Sequence, residues 1–403
     1  MTTLLELLFW LLAVLVIYPY LGYPLMLRVL ITLRGARSLP SNSPPDLPTV
    51  SLVISAFNEG AVLDSKLRNA RALAYPADKL QILVISDASS DDTDDIVRQH
   101  GLEDARVVLH RQEERLGKTA GLNAGITKAT GSIVVFSDAN AIYDANAISE
   151  LVAPLAADPH IGYVVGAAHY SDAEQGQSQR SEGLYWRYEL AIKEMESKFA
   201  SVVGGDGAIY AIRRELFWPL REDDINDFVN PLQIIAAGFR GVFNPRARCY
   251  EEGADSFAKE FRRKRRIVNR SWRAILRYGG ALRRAGNRAF MFQLVSHKII
   301  RWFAMPLIVA LAAVNIMLVL RGAGGIYGLS LLGLAASAVL AWRGHHHTTR
   351  GLEPARLSYL FYYFYLVNLA AVLGIYDQAR GVRHSKWDHV RSAAPSAPKE
   401  TAP

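Results

Sequence analysis

Two runs of this chain contain no charged residue and are longer than most core elements of a soluble domain: WFAMPLIVALAAVNIMLVL from Trp302 to Leu320 and LSYLFYYFYLVNLAAVLGIY from Leu357 to Tyr376. Each approaches the roughly 20 apolar residues that carry a helix across a bilayer. A shorter run, Ile326 to Trp342, lies between them and is the weakest crossing of the set. A fourth, Leu4 to Leu30, carries Glu6, Pro19 and Pro24. It lacks a basic lead-in and a small-residue cleavage site, so it reads as an uncleaved anchor rather than a secretory signal. Apolar segments therefore bracket a polar middle. Arg28, Arg34 and Arg37 follow the first segment closely, which by the positive-inside rule places the N-terminus outside and the middle in the cytoplasm. One N-terminal and three C-terminal crossings would leave the basic stretch Arg380 to Arg391 outside. Either one segment lies in the interface or the rule fails here.

The single cysteine, Cys249, rules out an intrachain disulfide and fits a reducing compartment as a buried, inert thiol. The net charge of +8 is concentrated beside the second apolar block. That suits membrane lipids of an anionic leaflet and makes nucleic acid the poorer partner. Residues 38–48, SLPSNSPPDLP, form a Pro/Ser linker. After it, near-continuous apolar strands alternate with helical stretches. Thr49 to Phe57 is followed by a helix, Gln81 to Ser89 by a helix that opens SSDDTDD, and ARVVLHR by GKTAGLNAGITKA; SIVVFSDAN is the fourth strand. Such strands imply an α/β fold with a mostly parallel sheet covered on both faces. Ligands of these sheets bind at the carboxyl ends of the strands. Asn58-Glu59, Asp87 and Asp138-Ala139-Asn140 all stand there. Asp138 and Asn140 present oxygens two residues apart, a donor set for Mg2+ or Mn2+. Taken alone, the same pair serves equally well to cap the next turn.

SAFNEG, VISDASSDDT, GKTAGLNAG and FSDAN, in this order and spacing, resemble the family 2 glycosyltransferases with a GT-A fold. With flanking membrane helices the chain is similar to the cellulose, hyaluronan, chitin and poly-N-acetylglucosamine synthases. The likeness runs from about Thr49 to about Trp272 and, in hydropathy, to the C-terminus. It implies that Ala56 to Glu59, with Asn58, line the nucleotide pocket, that Asp87 contacts uracil, and that Lys118 and Asn123 lie beside the nucleotide. Asp138 and Asn140 fall on the family's metal-binding DxD, with an amide in place of the second acid. SVVGGDGAIYAIRR resembles the Gly-rich acceptor loop, which implies Gly205, Asp206 and Gly207 at the acceptor. Asp227 matches the general base of inverting transfer, with Asp223 and Asp224 as rivals; an acidic turn capping the next helix is the plain alternative.

From Lys259 to Arg273 eight Arg or Lys residues alternate with apolar ones, the pattern of an amphipathic helix at a membrane surface. The family has QxxRW here. Arg263 and Ile267 replace Gln and Trp, while Arg266 keeps the cation for the diphosphate. Loss of the Trp puts processive elongation in question and leaves the transfer step intact. The resemblance thus implies a multi-pass enzyme of the inner membrane with a cytosolic catalytic domain. It would take a UDP-sugar to a growing extracellular polysaccharide, with accessory export or modification subunits as further partners. The enzymatic rival transfers one sugar to a lipid such as a polyprenyl phosphate or a ceramide-like acceptor. The non-enzymatic rival is a degenerate scaffold, supported by Asn140 alone.

The expected organisation is an N-terminal transmembrane anchor at 1–37, the linker at 38–48 and the catalytic domain at 49–255. Amphipathic basic interface helices follow at 256–296, transmembrane segments at 297–378 and a partly disordered tail at 379–403. VRHSKWDHVR in that tail reads as a gate near the site. GKT is no phosphate-binding P-loop, because Gln112 stands where that pattern needs glycine. His345 to His347 read as a solvated basic loop.

Overall fold

The structure, a computed structural model, describes residues 2–40, 46–170, 177–251 and 256–382. The proposed gate and most of the tail lie outside them. Eight strands form one mixed sheet: β1 (Val50–Ala56), β2 (Leu80–Ser86), β3 (Val107–Arg111), β4 (Ile133–Asp138), β5 (Ile142–Tyr143), β6 (Ile161–Tyr170), β7 (Tyr210–Arg213) and β8 (Arg240–Glu251), in the order β3-β2-β1-β4-β7-β6-β8-β5. The first four strands are parallel, as the crossover helices α3 (Gly60–Arg71), α4 (Thr93–Glu103) and α5 (Lys118–Ile126) require. β7 runs antiparallel between β4 and β6. β1, every residue of which is buried, pairs Ser55 with Asp138, which brings the ends of β1 and β4 to one edge.

Beyond α6 (Ala147–Ala157), α7 (Gln177–Phe199) and α8 (Asn226–Ala236) complete the cover of the sheet. The basic stretch is one helix, α9 (Phe257–Arg284), capped by Ser256. Val268, Asn269, Ser271 and Ala274 on it are buried against the rest of the protein.

The N-terminal run passes through a π-helical turn (Tyr18–Gly22), where Pro19 withdraws an amide, between α1 (Thr2–Ile17) and α2 (Tyr23–Arg34). Near the C-terminus, α10 (Arg288–Leu294), a π turn (Val295–Ile299) and α11 (Ile300–Trp302) lead to α12 (Ala304–Leu320) through a 61° bend. The shortest apolar run is longer than its sequence suggests: α13 (Ile326–Thr349) continues through the histidines and is long and apolar enough to cross a membrane. His345 to His347 are therefore helical and not a loop; His345 faces Tyr362, and His346 stacks on Trp342. α14 (Arg356–Ala379) also passes that test of length and composition, as does the N-terminal helix.

Candidate active site

β4 delivers Asp138 to the sheet edge because Ile133 to Ser137 are all buried and fix its register. Beneath the turn lies Lys66, fully buried, donating 2.8 Å to Ser137 Oγ and to the carbonyl of Ala141. One ammonium thus ties down both ends of the Asp138–Asn140 segment, and burial pushes it down to about 8. Sequence reasoning passed over Lys66. Its signal was a lysine on the apolar stripe Leu63, Lys66, Leu67, Ala70 of α3.

Asp87 works on the loop before α5. Its carboxylate accepts from Gln112 Nε2 at 2.6 Å and from the amides of Leu116 and Gly117 at 2.9 and 3.0 Å, and it is buried. Asp87 does not line the cavity described below; it braces a turn whose Gly117 has φ 91° and aims Lys118 at Asp138. Asn123 does not line it either, its amide exchanging two hydrogen bonds with the backbone of Leu220. Ala56 is buried under the edge. Asn58, at φ 50°, accepts from the Ser90 amide and shapes the loop, so neither lines the cavity wall. Glu59 does.

The remaining named residues meet in one cavity of about 430 Å³, a size suited to a small ligand. Lys118, Asp138, Asn140, Gly205, Asp206, Gly207 and Asp227 line it together with Arg263 and Arg266 of α9. A methyl group on Gly207 would sit 3.4 Å from Asp138 Oδ2, 3.5 Å from Asp227 Oδ2 and 3.9 Å from Lys118 Nζ. Two carboxylates and an ammonium thus converge on one point. Asp206 is held by Lys193 at 3.0 Å.

Asp227 stands in the first turn of α8, its carbonyl accepting from the Gly205 amide. Its Oδ1 is buried without a hydrogen-bond partner. Burial, reinforced by Asp206 and Asp138 against Lys118 and Lys193, pushes its carboxyl up to about 6. The rival acids are engaged elsewhere. Asp224 receives Arg277 at 2.5 Å and the Arg221 amide at 2.9 Å, and Asp223 lies 3.3 Å from Arg277 and 3.4 Å from Arg273. On the helix side Arg263 bonds Glu260 at 2.8 Å. Burial opposes ionisation of Glu260, but Lys264 and Arg263 bring it down to about 2.

Among the described residues no cluster of three or more His, Cys, Asp or Glu side chains could hold a metal. Asp138 and the Asn140 amide oxygen do fit a hard divalent cation that completes its shell with ligand phosphates and water, as Mg2+ commonly does. Residues that the sequence reading missed also reach the cavity: Trp302 at the bend before α12, and Val367, Asn368 and Ala371 of α14. Their distance in sequence from any motif left them without a signal.

Residues 51–221 match the family described as Glycosyl transferase family 2. The probable glycosyltransferase YdaM of Bacillus subtilis (strain 168) is 26% identical over 252 residues, 58% of this chain and 57% of that protein. Poly-beta-1,6-N-acetyl-D-glucosamine synthase of Staphylococcus aureus (strain COL) is 30% identical over 127 residues, 32% of this chain and 30% of that one. The chain thus spans 57% or less of the length of these curated relatives. The solved mannosyltransferase PcManGT from Pyrobaculum calidifontis, in complex with GDP-Man and Mn2+, shares the fold with a TM-score of 0.65 and 23% identity, over 91% of this chain and 98% of that one.

Proposed function

From the premise that the chain belongs to the family 2 glycosyltransferases, we propose that it is a membrane-embedded inverting transferase whose catalytic base is Asp227. The observation that carries this reading is the convergence of Asp138, Asp227 and Lys118 around Gly207. An acceptor hydroxyl at that point gives its proton to Asp227 while its oxygen bonds to the anomeric carbon. The bond from that carbon to the diphosphate oxygen breaks, and the electron pair leaves with the nucleoside diphosphate. Lys118, Arg263 and Arg266 receive the leaving charge. A divalent ion, Mg2+ or Mn2+, held by Asp138 and Asn140, would neutralise part of the diphosphate charge.

The donor of this reading is a UDP-sugar, and the acceptor is a growing polysaccharide, as the name of the staphylococcal relative suggests. A second acceptor, a single lipid, is favoured by Ile267 where the synthases have Trp and by the apolar Val367 and Ala371 in the cavity lining. The catalytic domain lies on the cytosolic face.

The test is nucleoside diphosphate release by the purified, lipid-reconstituted chain. Donors are a panel of UDP-sugars and GDP-mannose, with Mg2+, Mn2+ or EDTA, and the product is sized on a gel. Metal-dependent turnover of one UDP-sugar into high-mass product is expected. A lipid-mobile single-sugar product selects the second acceptor, turnover of GDP-mannose alone overturns the donor, and no turnover with any donor overturns the reading.

A further inference from the structure

Both ends of α14 are fastened to the same helix, α9. At its N-terminal end, Tyr359 and Tyr362 pack on Phe257 with ring centroids 5.1 and 4.7 Å apart, and the Tyr363 hydroxyl donates to Glu260 at 3.3 Å. Near its C-terminal end, Asp377 takes Arg265 in a two-pronged pair at 2.6 and 2.7 Å, and Asn269 donates 3.1 Å to the carbonyl of Gly374. Just beyond the helix, the carbonyl of Val382 accepts from Arg273 at 3.1 Å. Gly374 lets the backbones touch: a methyl there would lie 2.5 Å from the Arg265 carbonyl. The attachments therefore advance together along both helices.

α9 in turn belongs to the catalytic domain, through Arg277 on Asp223 and Asp224 and through Tyr278, which accepts from Gln233 at 2.9 Å. The stretch of α9 from Phe257 to Arg273 is about 24 Å long at 1.5 Å per residue. If α14 crossed a hydrocarbon layer of about 30 Å, this stretch would have to run through it alongside. That would carry Lys259, Arg262, Arg263, Lys264, Arg265, Arg266, Arg270 and Arg273 into the bilayer, where each lysine or arginine is strongly disfavoured.

We propose that α14 does not cross the membrane but lies in its interface along α9, roofing the catalytic cavity and resting its outer face on an anionic leaflet. Leu369 and Tyr376, seven residues apart on one stripe of α14, are exposed, as are Leu357 and Leu360 near its start, and Arg356 and Arg380 stand at its two ends, which suits the headgroup boundary. Val367, Asn368 and Ala371 line the cavity. The crossings are then the N-terminal helix, α12, which packs Leu311, Val314 and Leu318 on Phe9 and Leu12, and α13. Three crossings return Arg380 to Arg391 to the cytosolic side, which removes the conflict with the positive-inside rule. The inference rests on the reading of the chain as membrane-embedded.

Site-specific labelling of the full chain in spheroplasts and in inverted vesicles tests it. The wild type gives the background, since Cys249 is buried. Leu102→Cys marks the catalytic domain, Gly324→Cys the α12–α13 loop, Leu352→Cys the α13–α14 loop and Ala379→Cys the end of α14, each read with a membrane-impermeant maleimide. Leu352→Cys and Ala379→Cys are expected to react from the same side as Leu102→Cys, and Gly324→Cys from the other. Reaction of Ala379→Cys from the Gly324 side overturns the proposal. Reaction of Gly324→Cys from the Leu102 side overturns the membrane embedding on which it rests, and so identifies that failure separately. A nitroxide on Leu369→Cys, at mid-helix, gives an independent readout if a terminal variant fails to fold. A depth at the headgroup boundary supports the interfacial helix, and a depth at the bilayer centre overturns it.

Discussion

One part of the cavity lining is set by strand ends and another by the helix α9, and the two are held by different forces. On the sheet side, position follows from backbone pairing: the register that sets Ser55 beside Asp138 also fixes the Asp138–Asn140 turn, with Lys66 underneath. On the helix side, α9 is oriented by carboxylates remote in sequence, Asp377 on Arg265 and Asp224 on Arg277. Backbone pairing fixes atoms to within a hydrogen bond, whereas long flexible cations take their place only from their partners. Substitutions on the sheet side should therefore strike chemistry, and those on the helix side should strike stability and the seating of the cations.

The largest effect belongs to the sheet side. Asp227→Asn should lower kcat about a thousandfold, within the range for loss of a general base, and leave donor KM within about threefold. Asp224→Asn should leave the chemistry nearly intact, since Arg277 and the Arg221 amide already occupy that side chain. If the two results were exchanged in a nucleotide-release assay, the base would lie among the acids that hold α9 and the contrast between the walls would collapse. The helix side is next. Arg277→Met strands Asp224, whose side chain is 1% exposed, without its ion pair. Removal of one partner of a buried pair costs about 3 kcal/mol. Chemical denaturation should show that loss while kcat at a permissive temperature stays near wild type; a kcat collapse without destabilisation would make Arg277 part of the chemistry. Gly374→Ala, which forces a methyl to 2.5 Å from the Arg265 carbonyl, should destabilise by about 2 kcal/mol as α9 and α14 part. An unchanged melting curve would mean that the two helices are not in contact.

The same contrast governs what the sequence could disclose. The parallel strands β1 to β4 and the turn at Asp138 were legible because a buried parallel strand is a continuous apolar run and its ligand residues follow within a few positions. Asp87 and Asn123 were legible as polar residues near the site, but whether they face a ligand or the chain's own backbone depends on the partner each finds in space. Gln112 and Leu220 are not readable as those partners from the motif. Nor could periodicity reveal that α9 packs along α14, since an amphipathic helix looks alike against lipid and against protein. Trp302, Val367 and Asn368 reach the cavity only because the chain bends before α12 and α14 returns to α9.

The smallest effect bears most finely on the sheet wall. Burial holds the Asp227 carboxyl at about 6 instead of its ordinary 3.8. A base works only when ionised, so kcat/KM should fall about tenfold per pH unit below 6 and level off above it. The sign for stability is opposite. A carboxyl whose pKa is raised in the folded chain binds its proton more tightly there, so its stabilising contribution is complete below pH 3.8 and is lost as pH climbs through 6. Between these values the chain gains activity and loses the stability that this one group contributes, because ionising a buried, unpartnered oxygen is what makes it basic. Asn at this position removes both dependences at once. A rate profile with its acid limb still near 6 in Asp227→Asn would move the base to another carboxyl.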